Sequence, residues 1–205
     1  MSSGETVKIA ILGLPGVGKT ALTVKVVSGR FIWNYHPTLE NIYKYSLVNK
    51  AEAEETSINL EIMDTAGYIA FETNSPQQEG YVKWANGLIL MYSIVDLSSF
   101  EAIKSLIMAI IANKTFNNNI ALVANKSDMD HLRQVKTEAG QKLADEFGCR
   151  FYEISVMTEF ERTTQPFIDL CADAKHSRDA NGAKLRRRSS ASQRLKKLIQ
   201  KKLSI

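Results

Sequence analysis

The sequence is short of the residues that hold together a secreted or membrane-spanning protein. Only two cysteines occur in 205 residues, Cys149 and Cys171, which argues against a disulfide framework and predicts a reducing compartment. Three histidines are scattered along the chain, which argues against a metal centre built from imidazole. No apolar run reaches the roughly 18 residues of a membrane-spanning helix, and the polar first residues lack the pattern of a secretion signal. We therefore expect a cytoplasmic protein.

Acidic residues are missing from the last part of the chain. Residues 180–205 contain nine Lys and Arg and no Asp or Glu. Because the whole chain has a net charge of +4, residues 1–179 have a net charge of −5. We interpret residues 1–178 as one folded domain and residues 179–205 as a basic tail, which is either disordered or an amphipathic helix. Such a tail predicts weak contact with anionic membranes or nucleic acid, and the nucleus or a membrane surface is the alternative location. Because no cysteine lies near its end, we expect no prenylation.

Strand-like apolar runs alternate with helical patterns through the predicted domain. The patterns predict strands at Val7–Leu12, Ile42–Val48, Ser57–Met63, Gly87–Val95, Ile120–Ala124 and Arg150–Ile154. They predict helices at Ala21–Val27, Ser98–Asn113, Thr137–Phe147 and Thr163–His176, with Ser98 as the N-cap of the second. This alternation favours an α/β fold, with a mostly parallel sheet and helices on both faces.

A glycine-rich loop follows the first predicted strand. Residues 13–20 match the pattern GxxxxGK[ST] and lie between a predicted strand and a predicted helix, which is the context of a phosphate-binding P-loop. Glycine lets the backbone curl so that its N–H groups point at phosphates, and the helix N-terminus adds further donors. Lys19 is expected on the β- and γ-phosphates, and Thr20 on Mg²⁺. The predicted phosphate-binding residues are Gly13, Leu14, Pro15, Gly16, Val17, Gly18, Lys19, Thr20 and Ala21.

A second motif predicts which base is bound. Asn125, Lys126 and Asp128 form an NKxD string directly after a predicted strand. The carboxylate of Asp128 can accept hydrogen bonds from N1–H and from the 2-amino group of guanine, whereas adenine lacks both donors. An unpaired carboxylate is costly, which argues against an ATPase. Lys126 can lay its stem along the base, and Ser155 and Val156 can offer backbone N–H groups to the guanine O6.

Further residues predict a magnesium site beside the phosphates. Asp64 ends a predicted strand and can hold Mg²⁺ through a water molecule, while Gly67 can bring a backbone N–H to the γ-phosphate. Thr38 is a candidate second hydroxyl ligand. Together with Thr20, these residues predict that the chain binds GTP or GDP with Mg²⁺.

In order and approximate spacing, these elements resemble the Ras-like small GTPases over about residues 6–176. The resemblance implies a P-loop NTPase G domain with a six-stranded sheet and five helices. It also implies two switch loops, near Tyr35–Asn41 and Thr65–Gly80, through which effector proteins bind. In this pattern Phe31 packs edge-on against the base and Tyr35 closes over the phosphates. Exchange and activating proteins are the other partners implied, and we expect a monomer.

Two stretches place the chain within a subgroup of that family. Arg30–Trp33 and Pro37–Glu40 are similar to the Ras-related and oestrogen-regulated growth inhibitors. Members of this subgroup also resemble the chain in having an RRRSS stretch and no prenylation cysteine.

Three departures from the family pattern bear on hydrolysis. Tyr68 stands where most relatives have the Gln that orients the attacking water, and Pro15 stands at a usual glycine near the path of an activating arginine. Met157 replaces the lysine of the usual SAK string. Two functions therefore stay open. One is a signalling switch with slow GTP hydrolysis, in which Lys19, Thr38 and Tyr68 act in catalysis; the other is a guanine-nucleotide-binding adaptor that does not hydrolyse.

Overall fold

The computed structural model describes residues 6–31, 40–49, 56–67, 76–112, 119–158 and 160–176. These residues form one mixed α/β unit. Its strands are β1 (Val7–Leu12), β2 (Asn41–Asn49), β3 (Thr56–Asp64), β4 (Gly87–Ser93), β5 (Asn119–Asn125) and β6 (Arg150–Glu153). Its helices are α1 (Lys19–Ser28), α2 (Pro76–Trp84), α3 (Leu97–Ala112), a 3-10 helix (Ser127–Leu132), α4 (Thr137–Phe147) and α5 (160–176).

The strands form one six-stranded sheet in the order β2-β3-β1-β4-β5-β6. Neighbouring strands are parallel except for the antiparallel pair β2 and β3. In the centre, Ile9 of β1 is in register with Ile62 of β3 on one side and with Gly87 of β4 on the other. The predicted mostly parallel sheet is therefore confirmed. Because β1, β3, β4, β5 and β6 run the same way, their carboxyl ends and the loops that follow lie at one edge.

Both faces of the sheet are covered by helices. Every residue of β4 is buried, as its continuous apolar run predicts. One core lies under α2, α3 and α4, and includes Tyr92, Ile107 and Leu143. The other lies under α1 and α5, and includes Leu22 and Phe167. This double burial fixes the register of the central strands, and so fixes where their end loops stand.

Several predicted element bounds shift by one to three residues, and one predicted cap is wrong. Helix α3 begins at Leu97, before the predicted cap Ser98. The cap is Asp96, whose Oδ1 accepts a hydrogen bond from the Ser99 backbone N–H at 3.3 Å and from the Ser98 hydroxyl at 2.6 Å. Asp96 lies two residues before Ser98, and its carboxylate accepts from a backbone N–H of the first turn, which is the task that Ser98 was expected to perform. Strand β4 ends at Ser93, two residues before the predicted end, because the chain turns at 94–95.

The helices in the described part of the chain do not combine the length and the apolar character that a membrane span requires. The predicted domain boundary at residue 178 and the basic tail lie outside the described residues, as do Tyr35, Thr38 and Tyr68.

Candidate guanine-nucleotide site

The predicted phosphate loop connects β1 to α1 and has the tight backbone that its glycines allow. Gly16 and Gly18 adopt positive φ angles of 78° and 106°. A Cβ at Gly13 would overlap the carbonyl oxygen of Met91, and one at Gly18 would overlap Nδ2 of Asn125. A larger residue at either position would push the loop away from β4 and β5. The loop therefore depends on glycine for close packing as well as for conformation.

Lys19 begins α1 and lies folded over this loop. Its Nζ donates a hydrogen bond to the Leu14 carbonyl at 3.1 Å, and the residue is 5% exposed. Gly18 is the N-cap of α1 and no side chain caps this helix, whose N-terminus directly follows the loop. A buried ammonium group and a helix N-terminus converge here, and both attract phosphate.

The predicted magnesium ligands Thr20 and Asp64 are in direct contact. The Thr20 hydroxyl donates to Asp64 Oδ2 at 2.5 Å. Asp64 is fully buried, and its Oδ1 finds no hydrogen-bond partner among the described residues. Burial raises the pKa of Asp64, while the Thr20 hydrogen bond and the Lys19 charge lower it. An unsatisfied buried carboxylate oxygen beside a hydroxyl is a fitting oxygen donor set for Mg²⁺, which relieves the cost of burying such a charge.

The predicted base-binding residues come from the loops after β5 and β6. Asp128 lies exposed in the 3-10 helix, and its Oδ1 accepts a hydrogen bond of 2.6 Å from the buried hydroxyl of Ser155. Lys126 adopts a left-handed φ of 69°, the only positive φ of a non-glycine residue in the described part of the chain. The Ser127 N–H also donates to the Ile154 carbonyl at 3.1 Å. The two loops are thus joined, and they orient the Asp128 carboxylate while leaving it accessible.

Asn125 has a role that the sequence did not reveal. Its Nδ2 donates to the Val17 carbonyl of the phosphate loop at 2.8 Å. Its Oδ1 accepts from the Val156 N–H at 3.1 Å. This N–H is one of those predicted to face the guanine O6, and it is bound to Asn125 here. Asn125 therefore ties the phosphate loop to both base-binding loops with a single buried amide.

Pro15, one of the departures from the family pattern, lies directly against Gly67. A Cβ placed on Gly67 would overlap the backbone nitrogen of Pro15 and would lie 2.7 and 2.8 Å from its ring carbons Cδ and Cγ. Gly67 directly precedes Tyr68 in the chain. The Pro15 ring consequently packs against the start of the segment that the family uses to position the attacking water.

The structure also shows where the other predicted site residues lie. Phe31, Leu14 and Ala21 are half-buried and pack against the core beneath α1 and α5. Met157 lies in the turn after Ser155 and is 41% exposed. The structure thus brings Lys19, Thr20, Asp64 and the NKxD residues to one edge of the sheet.

Comparison with known proteins agrees with this arrangement. A model of the Ras family matches residues 8–176. The human Ras-related and estrogen-regulated growth inhibitor is 41% identical over 207 residues, which cover 100% of this chain and 98% of that protein. The human Ras-like protein family member 11B is 32% identical over 188 residues, covering 90% and 74% of the two chains. The chain therefore belongs to the Ras family and is a small GTP-binding signalling protein.

Proposed function

We propose that the protein is a Mg²⁺-dependent signalling switch that hydrolyses GTP slowly. The observation that carries this proposal is the convergence of Lys19, the Thr20–Asp64 pair and Asp128 at the carboxyl edge of the sheet. Ligands of open α/β sheets bind at this edge. Effector proteins would read the switch loops when bound GTP orders them.

Each group in the site has a distinct task. The Lys19 ammonium and the α1 N-terminus stabilise the negative charge of the phosphates. Thr20 and Asp64, with Thr38, would hold Mg²⁺, which neutralises phosphate charge during transfer. Asp128 accepts hydrogen bonds from guanine and is held in place by Ser155. None of these groups depends on the Gln that the family uses to orient water, so charge stabilisation survives its replacement.

Slow hydrolysis is expected from two residues that depart from the family pattern. Tyr68 lacks the amide that both donates to and accepts from the attacking water, and the Pro15 ring occupies space against Gly67. The same two residues favour a second candidate function, an adaptor that binds GTP without hydrolysing it. The two candidates differ in whether bound GTP is ever converted to GDP.

A single-turnover assay on the full chain tests the proposal. Protein loaded with GTP in Mg²⁺ should release one phosphate per molecule, and removing Mg²⁺ should accelerate loss of nucleotide. Lys19→Ala should abolish nucleotide retention, whereas Asp128→Ala should retain phosphate contacts but lose the preference for guanine. Bound GTP that stays intact would favour the adaptor, and equal binding of ATP and GTP by the unmodified protein would refute both candidates.

A further inference from the structure

Arg133 forms an unusually complete set of hydrogen bonds beside the base-binding loops. It directly follows the 3-10 helix, and its Nη1 and Nη2 donate to the two carboxylate oxygens of Glu153 at 3.0 and 2.7 Å. Its Nε donates to Asp130 Oδ1 at 2.6 Å. The side chains of Arg133 and Glu153 are only 19% and 20% exposed. A forked pair of this kind is strong and geometrically specific, because the planar guanidinium fixes the carboxylate in two places.

The two ends of this pair belong to the two loops that hold the base-binding residues. Asp130 lies in the same 3-10 helix as Asp128, and Arg133 follows that helix. Glu153 is the last residue of β6, two positions before Ser155. The Arg133–Glu153 pair thus joins the loops at one point, and the Ser155–Asp128 hydrogen bond joins them at another. These two side-chain connections and the Ser127–Ile154 backbone hydrogen bond leave the loops little freedom to change their spacing.

Helix α4 adds a third connection to the same pair. The Thr137 hydroxyl donates to Glu153 Oε2 at 2.9 Å, and Arg133 Nη1 donates to the Val135 carbonyl at 3.1 Å. Arg133 holds the pKa of Glu153 below its ordinary value, with the Thr137 hydrogen bond acting in the same direction. The carboxylate is therefore ionised and fully engaged, and it anchors the loops to the start of α4.

We propose that Arg133 and Glu153 are positioning residues for guanine recognition. They set the spacing of the two loops. Ser155 can then orient the Asp128 carboxylate before the base binds. This inference rests on the proposed role of Asp128 in guanine binding. Two hydrogen bonds from one base to one carboxylate require both distances to be right, so a small displacement of the loops weakens both. The pair thereby contributes to base selectivity without touching the nucleotide.

A second ion pair on the same strand provides a matched control. Arg150 of β6 donates from Nε and Nη2 to the two carboxylate oxygens of Asp173 at 2.9 and 2.8 Å. This pair also has a forked geometry, but it connects β6 to α5 rather than to the base-binding loops. Arg150→Met and Arg133→Met each remove a guanidinium group that donates two hydrogen bonds to one carboxylate. Only the second change should alter base recognition.

The test measures nucleotide release and base discrimination in the full chain with Mg²⁺. The probes are GDP with a fluorescent ribose group and the corresponding inosine diphosphate, which lacks the 2-amino donor. Arg133→Met should speed GDP release by about tenfold and reduce the preference for guanine over inosine severalfold, as expected when one oriented charge-assisted contact is misplaced. Arg133→Lys should lie between the unmodified protein and Arg133→Met, because lysine keeps the charge but not the fork. Arg150→Met should change thermal stability and leave the base preference unaltered.

Glu153→Gln keeps the size of the side chain and provides the same test if Arg133→Met does not fold. A loss of stability with unchanged base preference in both variants would overturn the positioning role, as would an equal change of preference in Arg150→Met. An unmodified protein that binds ADP as well as GDP would instead refute the proposed base site, and this inference with it. A guanine preference that survives in both Arg133→Met and Glu153→Gln would refute only the positioning role.

Discussion

The hydroxyl group of Tyr81 in α2 donates a hydrogen bond of 2.7 Å to Oε2 of Glu40, which directly precedes β2. Tyr81 is 4% exposed, and both burial and the Glu40 carboxylate raise the pKa of its hydroxyl. Glu40 belongs to the first expected switch segment, and Tyr81 directly follows the second. One hydrogen bond between residues 41 positions apart therefore connects the ends of the two segments.

Removing that hydroxyl should loosen the connection without changing the core. Tyr81→Phe is expected to lower the free energy of unfolding by about 1 kcal/mol, the usual effect of losing one hydrogen bond whose partner can turn to water. Urea denaturation of Tyr81→Phe, Glu40→Gln and the double variant should show that the double variant loses less than the sum of the single losses. Strictly additive losses would mean that the two side chains do not interact in solution.

The Pro15–Gly67 contact predicts which substitutions accelerate GTP hydrolysis. Tyr68→Gln should raise the single-turnover rate by about tenfold or more, since it restores a side chain able to place the attacking water. Pro15→Gly should restore part of the response to an activating protein of the Ras type, because it opens the space beside Gly67. The two changes together should act more than additively, since water and arginine meet at one phosphate.

Pro15→Ala is the control for that experiment, because it restores the N–H but keeps a Cβ. Equal recovery in Pro15→Ala and Pro15→Gly would show that a Cβ at this position does not hinder the response, so that the ring and the missing N–H of proline together account for the effect. If the unmodified protein already shows strong stimulation, another residue does the work of the family Gln.

The hydroxyl of Tyr92 is buried without a hydrogen-bond partner among the described residues. Its ring packs edge-on against Phe100 with centroids 5.0 Å apart, so phenylalanine can replace it without loss of packing. Tyr92→Phe should leave the free energy of unfolding unchanged or raise it, because it removes an unsatisfied polar group. Thermal denaturation measures this directly, and a clear loss of stability would show that the hydroxyl has a partner in solution.

Gly140 in α4 provides a second test of the surroundings of the Tyr92 hydroxyl. A Cβ there would overlap the Tyr92 hydroxyl and would lie 2.6 Å from the Phe151 ring. Gly140→Ala should therefore cost about 1–3 kcal/mol despite the better helix propensity of alanine. Adding Tyr92→Phe should recover part of that loss, but not all of it, because the Phe151 contact remains.

The Glu153 carboxylate should make stability depend on pH in a defined window. Its pKa in the folded state is lowered from 4.5, chiefly by the Arg133 hydrogen bonds. A lowered folded-state pKa stabilises the fold fully above the unfolded-state value, and this stabilisation is lost as the pH falls through the lower folded-state value. The stability difference between the unmodified protein and Glu153→Gln should thus be constant from pH 7 to about pH 5 and shrink at lower pH. A difference that grows under acid would contradict the assignment.

Local patterns predicted the sheet well because they report burial directly. The continuous apolar run of β4 and the alternation in β3 are set by contact with one or two cores, and both strands lie where expected. Helix α4 has the predicted bounds Thr137–Phe147, since Gly148 ends it in a left-handed conformation. The start of α3 was predicted incorrectly because Asp96 and Ser98 are both capable caps, and only the packing of the preceding turn selects between them.

The site was predictable in its residue types but not in its internal connections. Lys19, Asp64 and Asp128 were identified because phosphate, Mg²⁺ and guanine each demand a particular chemistry at a strand end. The contacts of Arg133 with Glu153 and of Tyr81 with Glu40 join residues 20 and 41 positions apart, and no spacing rule marks them. The Pro15–Gly67 contact likewise depends on how two loops meet in space.

The buried amide of Asn125 has a mechanical consequence. Because it grips Val17 on one side and Val156 on the other, the loop around the phosphates and the loops around the base cannot open independently. A partner protein that pulled only the base-binding loops outward would strain the phosphate loop through this one side chain. Release of nucleotide can then begin at the base-binding loops, and the movement is passed to the phosphate loop through Asn125.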